Sequence, residues 1–372
     1  MELYIYDNAL NLQGVVEKIT SLLWIRRYWA AGEFKLLAPA TPQNIELLKM
    51  RRLVMLRGGD EAGEIRWLTL RKTLQGEELI EVQGRFLPCW LGKRVVLDPI
   101  MITAPTPAIM QRIVRENVTA PRNPLRRIPN ISLGNVAIER GNIDYQSEPY
   151  INALLALQRL GQASKLGFAL TADVRVKQFS FTIYDGRNLT AGQVENPPAV
   201  FAVEFDNVLE QQFTHSTERL RSTAFVGGED LPDHPRTVVE TGDLQAAGLA
   251  RAEVFIDAHD IAQRRWDSTG NFEFLPEEQY RALLKQRGAQ QLELFAENIT
   301  FSSRINPNAN LRYRHDFDLG DRVTCLDRRW GLQIHVRITE VTEVYQDSAQ
   351  PQIEVTFGES QPTLADQIRL AQ

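Results

Sequence analysis

A chain of 372 residues, 43% hydrophobic and 24% charged, is too long for one ordinary core and holds enough apolar side chains for two to four domains. Its formal net charge of -5 argues against a protein whose main task is to grip duplex DNA, which takes a basic surface that releases counterions. Of the 42 basic residues only eight are lysine, which leaves 34 arginines, the side chain favoured where planar, bidentate pairs and interfaces are built.

Cys89 and Cys325 are far apart in sequence and read as buried, reduced thiols rather than a disulfide framework. Met1 to Tyr4 lack the basic patch and apolar run of a secretory signal. The longest apolar stretches, such as Leu22 to Ile25, fall far short of the roughly 18 to 20 residues that a membrane span needs. Synthesis and folding in a cytoplasm follow.

In chain order, Leu3 to Tyr6, Gly14 to Lys18 and Leu22 to Tyr28 read as strands. Trp29-Ala30-Ala31-Gly32-Glu33-Phe34-Lys35-Leu36 is a tight turn feeding a strand in which Glu33 and Lys35 alternate with Phe34 and Leu36. Thr41 as cap and Pro42 at the first helical position open a short helix. Three more strands follow, at Leu53 to Leu56, Ile65 to Leu74 and Leu79 to Gly84. Residues 1–103 make a compact β-domain with one small helix.

Pro99, Pro105 and Pro107 mark a boundary. Two helices, one from Thr106-Pro107 and one from Glu148-Pro149, and two strands, Phe168 to Val176 and Phe179 to Tyr184, give a mixed α/β domain over 104–200. Strands return at Val200 to Phe205, Leu209 to Thr217 and Arg219 to Val226. Leu244 to Ala252 is alanine-rich and reads as a helix that Gly248 weakens. Pro276 opens a further helix, and Ile299 to Ile305 is a strand. A second β-domain is therefore split into 201–245 and 298–360 around an inserted α/β segment, 246–297, with a tail at 361–372.

The end of the chain is the most strongly patterned part. Asp318-Leu319-Gly320-Asp321 is a turn that opens the strand Val323 to Leu326, and Leu332 to Val344 and Gln352 to Phe357 complete an antiparallel meander. Ile334, Val336, Ile338, Val341 and Val344 form its dry face, with His335, Arg337, Thr339, Glu340 and Glu343 on the wet one. The composite of Asp-Leu-Gly-Asp-Arg-Val, Arg-Ile-Thr-Glu-Val-Thr-Glu and Ile-Glu-Val-Thr-Phe-Gly, with the Trp-x-x-Gly-Glu-Phe pattern at 29–34, resembles the tail-tip and baseplate-hub family of long-tailed, siphovirus-type phages. The same family takes in prophage tail proteins related to contractile-tail hubs and injection machines.

The resemblance implies an α+β, mainly antiparallel β fold: two tube-like, barrel-like β-domains with smaller mixed α/β domains. It also implies a homotrimer whose two tube-like domains per subunit adapt the six-fold tail tube to a three-fold tip. Its neighbours are then a distal tail or tail tube protein and a tip, spike or tape-measure protein, DNA passes through its lumen without specific binding, and its place is the virion tail tip or a prophage-derived particle. Many such hubs extend into a peptidase or cell-wall hydrolase, and the stop at Gln372 leaves no room for one here.

Local motifs add no chemistry. His215, His234, His259, His315 and His335 form no His-x-x-x-His, and no Cys-x-x-Cys, nucleophile elbow or phosphate loop is present. No catalytic residue, cofactor or metal is assigned. Asp318 and Asp321 serve the turn rather than a cation, and His259-Asp260 and His315-Asp316 are adjacent strand residues whose side chains point apart. Trp266 and Trp330, each beside two arginines (Arg328 and Arg329 in the second case), have the make-up of interface anchors, with half-buried loop anchors as the plain alternative. Two rival functions stay open: a cell-wall or carbohydrate-active hydrolase using Asp/Glu pairs, and a host-surface carbohydrate-binding module.

Overall fold

A computed structural model describes residues 1–74, 76–232, 234–266, 272–346 and 350–358, with the side chains of residues 265, 266 and 272 outside that description. The expected tail, 361–372, lies outside the described residues.

The chain begins with β1 (Leu3–Tyr6), β2 (Leu12–Val16), β3 (Ser21–Arg27), β4 (Glu33–Pro39), α1 (Pro42–Leu47), β5 (Leu53–Leu56), β6 (Ala62–Lys72) and β7 (Glu78–Phe86). As the sequence predicts, the Thr41 hydroxyl accepts a hydrogen bond from the Asn44 N–H at 3.1 Å and Pro42 fills the first turn of α1. Then come β8 (Met101–Pro105), α2 (Thr106–Val114), β9 (Ile131–Leu133), β10 (Asn142–Gln146), α3 (Ala153–Ser164), β11 (Gly167–Asp173) and β12 (Gln178–Tyr184). Ile109 and Ile113 of α2 and Leu157 and Leu160 of α3 bury against Phe168 and Phe181 of the β11–β12 hairpin. That core continues under β5 through Leu53 and Met55, so the mixed domain sits on the back of the first sheet.

After β13 (Val200–Ala202) and β14 (Val208–Ser216), the chain makes β15 (Thr223–Gly227), β16 (Val238–Gly242), β17 (Glu253–Asp257), β18 (Arg264–Trp266), β19 (Phe272–Phe274) and α4 (Glu277–Leu292). β15 to β17 are a separate sheet, covered by Tyr280 and Leu284 of α4. The helix expected over 244–252 is absent: the stretch holds one 3-10 turn, Gly248–Ala250, and Gly248 sits at φ +58, where a right-handed helix cannot continue. β20 (Asn298–Ile305), β21 (Arg322–Asp327), β22 (Leu332–Gln346) and β23 (Gln352–Gly358) finish the described chain, the last three as the expected antiparallel meander.

Among the described residues thirteen strands form one mainly antiparallel sheet in the order β14-β20-β23-β22-β3-β4-β7-β6-β5-β1-β2, with β21 branching from β22 and β13 pairing with β21. Early and late parts of the described chain are therefore joined by backbone: β22 pairs with β3 from Glu340–Arg27 to Gln346–Ser21. Among the described residues no pairing closes the sheet, so the expected barrel-like modules are open sheets. No helix of the described residues is long and apolar enough to cross a membrane.

Two apolar cores lie on the same side of this sheet. Trp24, Phe34, Leu36 and Val82 meet Leu3, Ile5 and Val54 in the first, while Phe301, Val355, Phe357 and Val341 meet Phe201 and Phe317 in the second. The dry set expected on β22 needs one correction. A bulge between Ile338 and Glu340 shifts the alternation by one residue, so Ile338 and Val341 both point inward, Val344 faces outward and the buried residue is Glu343.

Phe357 is fully buried between Phe201 and Phe301, with ring centroids at 5.0 and 6.1 Å. Phe357→Ala should cost about 3–5 kcal/mol in chemical denaturation. Burial pushes the Cys89 thiol up to about 11 and raises Cys325 as well, so both thiols should resist a disulfide reagent at neutral pH and react only after denaturation.

Candidate functional site

Residues opposite one another in a ladder share a face, so the register of the large sheet defines a wall that crosses both halves. From β22 to β3 the outward pairs are Glu340–Arg27, Thr342–Ile25 and Val344–Leu23. Towards one edge the same face continues through Glu354 of β23 and Arg304 of β20 to Glu210 and Gln212 of β14. Towards the other it runs through Glu33 and Lys35 of β4 and Glu81 and Gln83 of β7 to Trp67 and Thr69 of β6. Eight consecutive strands, four from each half, thus present one largely polar surface, with Leu23, Ile25 and Val344 at its centre and Trp67 near one edge, while their other side covers both cores. Among the described residues, β14 pairs on one side only, and residues 67–72 of β6 pair only with β7.

The charges of this wall are paired with each other. Arg27 reaches Glu340 at 2.7 Å and Glu33 at 2.8 Å; Arg304 lies 3.0 Å from Glu210 and 4.0 Å from Glu354; Lys35 lies 2.9 Å from Glu81, which Arg71 also contacts. The hydrogen bond from Lys35 heads the causes that hold the Glu81 carboxyl below the ordinary glutamate value.

Behind the wall, at the seam between the cores, the inward residues are charged. Arg26 of β3 donates to Glu61 and to the Tyr313 hydroxyl, both at 2.7 Å, and to Asp318. Glu343, opposite Trp24 on β22, accepts from Arg314 at 2.7 Å and from Tyr313 at 2.9 Å. Burial opposes the charge of Arg26, yet Glu61, Tyr313 and Asp318 outweigh it and hold the guanidinium well above the ordinary arginine value. Burial likewise pushes the phenols of Tyr184 and Tyr313 up.

The mixed domain docks at the same point. Arg337 of β22 lies 3.0 Å from Asp185, in the turn after β12, and 3.2 Å from the Tyr28 hydroxyl, which donates to the Tyr184 carbonyl at 3.1 Å. Asp321 accepts from the Arg187 backbone N–H and side chain, each at 2.7 Å. Two backbones meet here: a Cβ on Gly186 would lie 1.8 Å from the Gly320 carbonyl oxygen, and one on Gly320, at φ +94, would lie 2.5 Å from the Tyr28 ring. The Asp-Leu-Gly-Asp turn thus locks the mixed domain onto the meander. Among the described residues no group of three or more His, Cys, Asp or Glu is arranged for a metal.

Arg328, Arg329 and Trp330 come together at the exposed tip of the β21–β22 hairpin, where Trp330 is 50% exposed. The tip is held by Trp330 N–H on Asp327 at 2.8 Å and Arg328 N–H on Glu204 at 3.1 Å. Trp266 belongs to a different, two-stranded sheet, and its side chain lies outside the described residues. Neither His-Asp pair sits in a strand: His315 turns onto Asp316 at 2.7 Å, so the expected divergence fails there, whereas His259 lies 3.2 Å from Asp257 and Asp260 pairs with Arg287. Sequence reasoning missed the wall because cross-strand register carries it, and missed Arg26 because its partners lie 35 to 292 residues away. The cleft beside Arg26 is lined also by Glu61, Phe168, Tyr184 and Leu319.

The sequence matches the family described as Siphovirus ReqiPepy6 Gp37-like protein over residues 2–359. No curated protein matches it. Among solved structures, it is similar to prophage tail protein gp18 from Listeria monocytogenes, with TM-score 0.56, 10% identity and coverage of 100% of this chain and 98% of that one. It is likewise similar to a tail protein from Neisseria meningitidis (0.56, 14%, 96% of each chain) and to the 43 kDa tail protein of prophage MuSo2 from Shewanella oneidensis (0.56, 13%, 96% and 98%). At these identities the likeness is one of fold.

Removing one partner from a buried ion network leaves others uncompensated, so Arg26→Ala should lower unfolding free energy by about 3 kcal/mol. Gly186→Ala should cost about 2–4 kcal/mol through the clash with residue 320. Gly58→Ala, at φ +73 with nothing near its added methyl, should cost only about 1–2 kcal/mol. Denaturant titration checks all three, and equal losses at Gly58 and Gly186 would contradict the lock.

Proposed function

The chain belongs to the Siphovirus ReqiPepy6 Gp37-like protein family, and from that premise we propose that it is a structural hub of a phage or prophage tail tip or baseplate. Three copies close a ring that adapts the six-fold tail tube to a three-fold tip and continues its channel. The observation that carries this reading is the eight-stranded wall. Four strands from each half of one polypeptide let three copies supply six equivalent modules.

Edge geometry supports the closure. Every step from β14 to β6 is antiparallel, so the two outer strands run in opposite directions, and β14 of one copy can lie antiparallel to β6 of the next. At about 4.8 Å per strand and a tilt of about 40°, three such walls enclose a backbone diameter of roughly 48 Å, which leaves room for a duplex. The polar face then lines the bore and the apolar cores stay outside it. This is a head-to-tail interface that closes by rotation.

In this reading 1–103 and the pair 201–216 and 298–358 carry the two tube-like sheets; β15 and β16, inside the expected 201–245, belong with β17 and α4, and that unit lies outside the ring together with 104–200. A distal tail or tail tube protein stacks on one rim, and a tip, spike or tape-measure protein meets the other. Arg328, Arg329 and Trp330 are contact residues for such a neighbour, being exposed on a held turn. The role is geometric, and the chain acts in the virion tail without catalysis.

Light scattering on the purified chain should give a particle of three chain masses, and a closed species of another copy number, or a chain monomeric at every concentration, contradicts the ring. Zymography on cell walls should show no clearing by the chain alone.

A further inference from the structure

The wall carries five carboxylates, Glu33, Glu81, Glu210, Glu340 and Glu354, and each has a cation of the same face beside it. Arg304 stands directly between Glu210 and Glu354 across three strands, and Arg27 stands opposite Glu340. The fifth cation, Arg85, is exposed and faces Glu33 only in the register of β4 and β7. Opposite charges are therefore fixed as neighbours by backbone ladders and not left to the mobility of long side chains. A surface of adjacent ion pairs has a field that cancels within a few ångströms and is screened further by salt. Rows of unpaired cations would hold phosphates and release counterions, and rows of unpaired carboxylates would repel them.

We propose that the polar wall is a self-neutralised surface whose cross-strand ion pairs keep Arg27, Lys35, Arg71 and Arg304 from gripping duplex DNA as it passes. The proposal rests on the ring reading for its setting, since the wall faces DNA only if it lines the channel. The charge balance itself belongs to the single chain. The carboxylates are the working part: they are there to occupy the cations, and removing them converts a sliding surface into a holding one.

The test measures binding of a fluorescently labelled DNA duplex by anisotropy across a salt series. The chain itself and an off-wall control that loses the same charge, Glu17→Gln/Glu77→Gln/Glu278→Gln, should bind weakly at about 50 mM salt. Glu33→Gln/Glu81→Gln/Glu340→Gln should bind at least about tenfold more tightly, with a salt dependence steeper by up to about three counterions. Circular dichroism checks the fold; should the triple variant unfold, Glu210→Gln/Glu354→Gln, which frees the half-buried Arg304 from its two exposed carboxylates, replaces it and should also gain binding. A folded wall variant that binds no better than the control, or an unaltered chain that already binds as tightly, overturns the proposal. Light scattering on the same samples reports the ring separately. A trimer whose wall variant gains nothing overturns the charge balance and leaves the ring, whereas a chain that never trimerises yet gains binding overturns the ring and leaves the charge balance.

Discussion

Seven cross-strand pairs between β22 and β3 are the constraint on which the rest of the structure depends. They tie residues from the two ends of the described chain into one sheet, so two halves with separate cores cannot drift in register or angle. A linker would leave such halves free to rotate; a shared ladder fixes their outward faces as one surface. Because a one-residue slip would turn every outward side chain inward, the bulge at Ile338 and Glu340 is as much a part of this constraint as the pairs are.

The seam imposes a chemical demand that the strands alone do not meet. Where the two cores abut, the inward residues are Arg26 and Glu343, and a lone buried charge there would be costly. The loop 313–321 supplies what they lack: Tyr313, Arg314 and Asp318 arrive together, and the same loop carries Gly320 and Asp321 into contact with the turn after β12. One segment thus neutralises the seam, covers the second core through Phe317 and anchors the mixed domain. The network specifies how three parts of the chain meet, and the apolar cores supply most of the stability.

Much of the fold was legible because its strands alternate cleanly. Ile353, Val355 and Phe357 against Gln352, Glu354 and Thr356 is a period of two that survives folding unchanged, and the Thr41-Pro42 helix start was read from its cap chemistry. The alternation failed at β22, where the bulge changed its parity and placed Glu343 inside and Val344 outside. The helix expected at 244–252 followed alanine content, and the backbone of Gly248 overruled it. The wall was beyond reach from sequence because it is a property of eight strands in register. Glu210, Arg304 and Glu354 read separately are surface charges, and only the ladder makes them one ion-paired set. Arg328, Arg329 and Trp330 were singled out from composition as interface candidates, and the structure places them on an exposed hairpin tip.

A reconstruction of an assembled tail end containing this chain tests the central claim most directly. The account predicts three copies around the axis, with β14 of each beside β6 of the next and with Gln212, Lys35 and Thr342 facing an open bore. A different copy number, or a polar face packed against another protein rather than lining the channel, would contradict it.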